Sequence, residues 1–143
     1  MTTFLSTNFT LEEAVFSQTA SRLGITNDPT PEVIEHLKKT AYGMESVRTE
    51  LENKLIMVSS WFRSAALNSA VHGAPGSGHL LGDCVDFTCP QFGTVDEIVR
   101  RILESAIPFK QVIREYGRWV HIDFGGDQRQ ALIIDSMGAR AYA

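Results

Sequence analysis

The chain lacks a block of basic residues, a long apolar run and a cysteine framework, and each absence narrows its function. Thirteen Lys and Arg stand against 17 Asp and Glu, a formal charge of −4. This balance argues against electrostatic steering toward a polyanion, so no nucleic-acid partner is expected. No apolar stretch approaches the roughly 18–20 residues of a membrane helix, so no membrane insertion is expected. The opening Met1-Thr2-Thr3-Phe4-Leu5-Ser6-Thr7-Asn8 has neither the basic region nor the apolar stretch of a secretory signal. Synthesis as a cytoplasmic protein is the expectation. Cys84 and Cys89 lie on and just after one predicted strand, where they tend toward opposite faces and are poorly placed to bridge each other. They read as small buried thiols. Repeats, low-complexity tracts and long linkers are also missing.

What is there suits one compact domain over residues 1–143, with 43% hydrophobic residues available for a core. Thr10-Leu11-Glu12-Glu13 fits a capping box opening a brief helix. The turn residues of 24–30 make a loop, and Thr30-Pro31 then reads as N-cap plus first-turn proline. Val33, Leu37, Ala41, Met44, Val47 and Leu51 follow at helical spacing and predict the main helix over about 31–52. A buried strand is expected at 54–59, a short helical turn at 64–71 and a second strand at 84–88. Thr94-Val95-Asp96-Glu97 is a second capping box, opening a helix to about residue 105. Strands near 110–115 and 118–124, joined at Tyr116-Gly117, and an edge strand at 131–134 complete an α+β fold: helices packed on a small, mostly antiparallel sheet.

The chemistry concentrates in Ser77-Gly78-His79-Leu80-Leu81-Gly82-Asp83-Cys84-Val85-Asp86 and in Trp119-Val120-His121. Two imidazoles and a carboxylate suit a tetrahedral Zn²⁺ site, in which His79, Asp86 and His121 fill three positions and leave one for water. Strand alternation puts Trp119, His121 and Asp123 on one face and Val120 and Ile122 on the other. Asp86 likewise points away from Val85 and Phe87, while His79 sits in a glycine-flanked loop free to fold back. Cys84 is a weaker alternative ligand. His72 reads as a solvated loop residue.

These residues resemble the zinc D-Ala-D-Ala carboxypeptidases and L-Ala-D-Glu endopeptidases that cleave peptidoglycan, a clan that includes many phage endolysins. The signature Ser-x-His-x-x-Gly-x-Ala-x-Asp is met by Ser77, His79, Gly82 and Asp86, with Cys84 where Ala is usual, and Trp-x-His by Trp119 and His121. Ser59-Ser60-Trp61-Phe62-Arg63-Ser64 is similar to the family's Ser-Gly-Tyr-Arg-Ser turn, and Phe9 to Glu13 matches near the start, so the resemblance spans roughly residues 8 to 124. It implies a hedgehog or D-Ala-D-Ala peptidase-like fold and makes His79, Asp86 and His121 the zinc ligands. Arg63 looks like the group that holds a substrate carboxylate or polarises the scissile carbonyl, tasks suited to a planar, permanently charged guanidinium. Ser77 reads as a hydrogen-bonding support or substrate contact, since no triad accompanies it. Trp119, Trp61, Phe62 and Tyr116 are aromatic candidates for the cleft, although such residues more often belong to core or rim.

Zinc hydrolysis also needs a general base. Several relatives place an acid three residues before the last histidine, where this chain has Arg118. Glu115 resembles instead the Glu that precedes Trp-x-His in the phage-rich branch. A two-residue turn would pair Glu115 with Arg118 and point it away from His121, whereas a three-residue turn or bulge pairs it with Trp119 and restores the face. Asp123 and Asp83 are the reserve candidates. The resemblance implies hydrolysis of a peptide bond in the peptidoglycan stem peptide, and for a bare catalytic domain a monomer is the expectation. The protein would be made in the host bacterial cytoplasm and released to the wall through a holin, or carried on a virion. Rival readings are a noncatalytic zinc-stabilised wall-binding or structural domain, as hedgehog relatives illustrate, and a metal-free domain with an accidental motif.

Overall fold

Helices begin here where a side chain catches the first unpaired amides. In a computed structural model of the protein, which describes residues 2–142, Thr10, Ser17, Thr30, Ser64 and Thr94 each accept a hydrogen bond from a first-turn amide. They open α1 (Leu11–Val15), α2 (Gln18–Leu23), α3 (Pro31–Glu50), α4 (Ala65–Ala70) and α5 (Val95–Glu104). The Thr94 box is reciprocal, with the Glu97 carboxylate accepting from the Thr94 amide at 3.0 Å. Helix α2 has no counterpart in the sequence reading. It buries one residue, Ala20, so it carries no apolar stripe, and only the Ser17 cap and the left-handed Gly24 mark its ends.

Six strands form one sheet: β1 (Met57–Ser60), β2 (Cys84–Thr88), β3 (Gln111–Glu115), β4 (Trp119–Asp123), β5 (Gln130–Asp135) and β6 (Gly138–Ala141). Their order is β1-β2-β4-β3-β5-β6, antiparallel except for the parallel pair β3 and β5. The α+β expectation is met. The expected edge strand at 131–134 lies inside the sheet, because β6 covers its outer side. Strand β6 escapes a hydrophobic reading, since all four of its residues are exposed and backbone pairing holds it, aided by an Arg140–Asp135 ion pair at 2.9 Å.

The apolar stripe of α3 and Ile98, Val99 and Ile102 of α5 bury themselves against Val85, Phe87, Val112, Val120 and Ile122 of the sheet. Each such side chain taken fully from water contributes about 1.5–3 kcal/mol. One face of β2 and β4 is thereby committed to the core. The other is left for Cys84, Asp86, Trp119, His121 and Asp123.

Of the two hairpin registers open to β3 and β4, the protein adopts the three-residue one: Glu115 pairs with Trp119, and Tyr116, Gly117 and Arg118 form the connection. Tyr116 and Gly117 both take positive φ, 56° and 64°. The Tyr116 amide donates to the Ile134 carbonyl at 2.8 Å, so β5 supports the longer turn. This register turns Glu115 onto the His121 face.

Candidate metal centre

Asp86 and His121 are direct cross-strand partners in the β2–β4 ladder, which brings their side chains side by side on the face away from the core. His79 arrives from a 3₁₀ turn at Gly78–Leu80 that lies over this face. The turn needs glycine at 78, because a Cβ there would overlap Cys84 Sγ and approach Asp123 Oδ2 to 3.1 Å. The Ser77 hydroxyl caps the turn, accepting from the His79 amide at 3.2 Å.

The ligand atoms of His79, Asp86 and His121 all lie within 4.8 Å of one another, the cluster among the described residues that could hold a metal ion. His79 Nε2 is 3.3 Å and His121 Nδ1 2.8 Å from Asp86 Oδ1. All three residues are removed from solvent to a large degree, His79 being 2% exposed. His79 Nδ1 lies 2.6 Å from the Trp61 carbonyl, which can only accept. Nδ1 therefore carries a proton, and Nε2 faces the cluster, where it donates to Asp86 when protonated and offers a lone pair when neutral. The Arg63 amide donates to the His79 carbonyl at 3.0 Å, so the Arg63 turn and the His79 turn hold each other in both directions.

The electrostatics favour a cation. Burial opposes ionisation of Asp86, but hydrogen bonds from His121 and His79, reinforced by their charge, hold its carboxyl well below the usual range. Burial likewise disfavours charged His121, yet the hydrogen bond to Asp86 and the charges of Asp86, Glu115 and Asp123 raise it above 6.5. A metal cation would supply from outside the positive charge that the carboxylate now draws from imidazole protons. Two imidazoles and one carboxylate are also a donor set suited to Zn²⁺.

Two further groups flank the cluster. Glu115 Oε1 is 3.8 Å from His121 Nδ1. Burial raises its carboxyl above 4.5, and the like charge of Asp86 adds to the effect, against the pull of His121, His79 and Arg63. Arg63 presents Nη2 to Asp86 Oδ2 at 3.6 Å, while Nε donates to Ser60 Oγ at 3.2 Å and Nη1 to Asn68 Oδ1 at 3.1 Å. Trp119 is half-buried with its ring 5.8 Å from that of Tyr116, and its buried indole N–H meets no acceptor among the described residues.

The remaining candidates are placed elsewhere. Asp83 Oδ1 engages His36 Nδ1 at 2.8 Å, and Asp123 Oδ1 accepts the Gly125 amide at 2.7 Å. Cys84 is a free, buried thiol outside the cluster, pushed up by burial and by Asp123. Trp61 is a core residue at 1% exposure, whereas Phe62, 5% exposed, lines a pocket together with Ser60 and Arg63. His72 is exposed, as expected. The sequence reading missed Asn27, whose side chain bonds to the Val15 and Phe62 carbonyls and the Ser64 amide and so fixes the Arg63 turn. It also missed Ser60 and Asn68 as partners of Arg63. Their contacts cross between elements, and the one available signal was a polar residue facing inward on a short helix.

A buried His-Asp-His cluster on one sheet face, flanked by a carboxylate and a guanidinium, is a donor set that could hold a metal ion beside an acid and a cation. The peptidase M15 family model matches residues 7–123 of the 143, and the chain belongs to that family. M15 peptidases are zinc-dependent, so the protein is classed as a zinc metallopeptidase, and its cluster fits the ion that class requires. No curated protein gives a significant match to the chain.

Proposed function

We propose that the protein is a zinc-dependent peptidoglycan peptidase that cleaves a peptide bond in the bacterial wall stem or cross-link, and that it serves as a phage endolysin. The observation that carries this reading is the convergence of His79 Nε2, Asp86 Oδ1 and His121 Nδ1, with Glu115 and Arg63 beside them, inside the segment matched to the family. His79, Asp86 and His121 are the metal ligands. Bound zinc supplies a Lewis acid that polarises a carbonyl and makes water nucleophilic near neutral pH.

Glu115 acts as the general base, taking a proton from the attacking water and returning it to the leaving amine. A carboxyl raised by burial is better matched to that exchange than an ordinary one. Arg63 meets the developing oxyanion or a substrate carboxylate. Ser77 and Trp119 contact substrate, the latter through the part of its half-buried ring that is open to solvent. Among the described residues no helix is long and apolar enough to cross a membrane. As an endolysin the protein would work as a monomer, be made in the host cytoplasm and reach the wall after holin-type release, with virion association as the other route.

Purified peptidoglycan incubated with zinc-loaded protein, in parallel with chelator-stripped protein, gives the test by mass analysis of the released fragments. Metal-dependent release is expected, and the masses identify the bond. Intact peptidoglycan in the presence of stoichiometrically bound zinc would replace this reading with a zinc-stabilised wall-binding domain.

A further inference from the structure

We infer that Asn68 is a positioning residue that clamps the Arg63 guanidinium, holding it beside Asp86 without letting it close on that carboxylate. The inference rests on the reading of Arg63 as a group facing the substrate. Asn68 lies on α4 and is 4% exposed. A primary amide so buried must find partners for both ends. Its Oδ1 accepts from Arg63 Nη1 at 3.1 Å and its Nδ2 donates to the Ala74 carbonyl at 3.0 Å. It therefore links Arg63 to the loop that leads to Ser77 and His79.

The distances around Arg63 show what the clamp does. Nε and Nη1 make hydrogen bonds, to Ser60 on β1 and Asn68 on α4, whereas Nη2 stops 3.6 Å from Asp86 Oδ2, beyond ordinary hydrogen-bond length. An unrestrained arginine beside a buried carboxylate favours the bidentate fork. That fork would occupy both oxygens of Asp86 and compete with a metal for them. Held on two other sides, Arg63 keeps its charge at the centre, and Asp86 Oδ1 stays with the two histidines.

Gly73 is part of the same arrangement. A Cβ at this position would overlap Asn68 Oδ1 and lie 2.9 Å from Arg63 Nη1. The Gly73 amide donates to the Asn68 carbonyl at 2.8 Å, so the loop passes directly over the pair.

Two measurements test the clamp. The Arg63 Nη1–H resonance, identified by its loss in Arg63→Lys, should exchange with solvent about tenfold faster or more in Asn68→Ala. Asn68→Asp, which keeps an acceptor for Arg63 and loses the donor to Ala74, should stay near the parent rate. Gly73→Ala retains both residues but drives a methyl group against Asn68 Oδ1 and Arg63 Nη1, so it should also accelerate exchange, which keeps the test open if Asn68→Ala folds poorly. With zinc content matched, Asn68→Ala should lower kcat/KM on a stem peptide about 10–100-fold, in the range of supporting residues at metal sites. It should have no further effect in an Arg63→Ala background. Unchanged Arg63 exchange in Asn68→Ala, or an equal loss with and without Arg63, overturns the clamp. Absence of hydrolysis by the parent protein removes the peptidase reading instead and leaves the exchange rates to decide the clamp.

Discussion

Asp86 pairs across the sheet with His121, and Asp123 pairs with Cys84 on the next rung of the same face of β2 and β4. The two carboxylates are almost equally buried, at 7% and 8% exposure. Their partners differ. Asp86 faces two imidazole nitrogens and an arginine, groups that are cationic or can yield their place to a cation. Asp123 is absorbed by the Gly125 amide and lies against the Cys84 thiol. Burial of a carboxylate is therefore insufficient to make a metal site. The neighbouring donors decide, and the 3₁₀ turn delivers His79 over one rung only.

Breaking the comparison on its active side should have the largest effect. Asp86→Ala should lose stoichiometric zinc and turnover together, measured by metal analysis and peptidoglycan hydrolysis, and full activity in this variant would sink the zinc assignment. Asp123→Asn keeps an acceptor for the Gly125 amide, so it should retain zinc and turnover and cost about 1 kcal/mol in a denaturation experiment. Next in size is Glu115→Gln, expected to lower kcat about 10²–10⁴-fold with zinc retained. If Asp123→Asn shows that loss instead, proton transfer belongs to the other rung.

The smallest effect is a stability slope. In metal-free protein the raised folded pKa of His121 means that its pairing with Asp86 contributes stability fully below its unfolded value of 6.5, lost as pH rises through the folded value. Asp86, depressed in the fold, contributes above its unfolded 3.8 and loses that contribution as pH falls through the folded value. The metal-free Tm should therefore fall from pH 6.5 upward. With zinc bound the slope should reverse, because protons then compete with the metal for the same nitrogens. Parallel slopes in calorimetry of the two forms would mean that the ion binds elsewhere.

Much of this was legible in the chain. The α3 stripe from Leu37 to Leu51 and the Thr94 box each rest on a local rule, helical periodicity or capping, and both appear as read. Helix α2 and strand β6 were not legible, because neither buries a patterned face. The three residues of the His-Asp-His cluster stood out as a motif, whereas Asn27, Ser60 and Asn68 did not. Their meaning lies in contacts between segments, such as Asn27 with Phe62 and Ser64.

The sequence by itself determined the α+β class, the family motifs and the three residues able to ligate zinc, because residue type, spacing and periodicity are properties of the chain alone. Tertiary structure decided which face Glu115 takes. Pairing of the Tyr116 amide with Ile134 supports a three-residue turn, and shifting a strand register by one residue moves a side chain through the sheet. It also decided which nitrogen of His79 faces the cluster, because only the folded chain brings the Trp61 carbonyl to Nδ1. Proton position and facing are relations between distant segments, and a linear order of residues does not contain them.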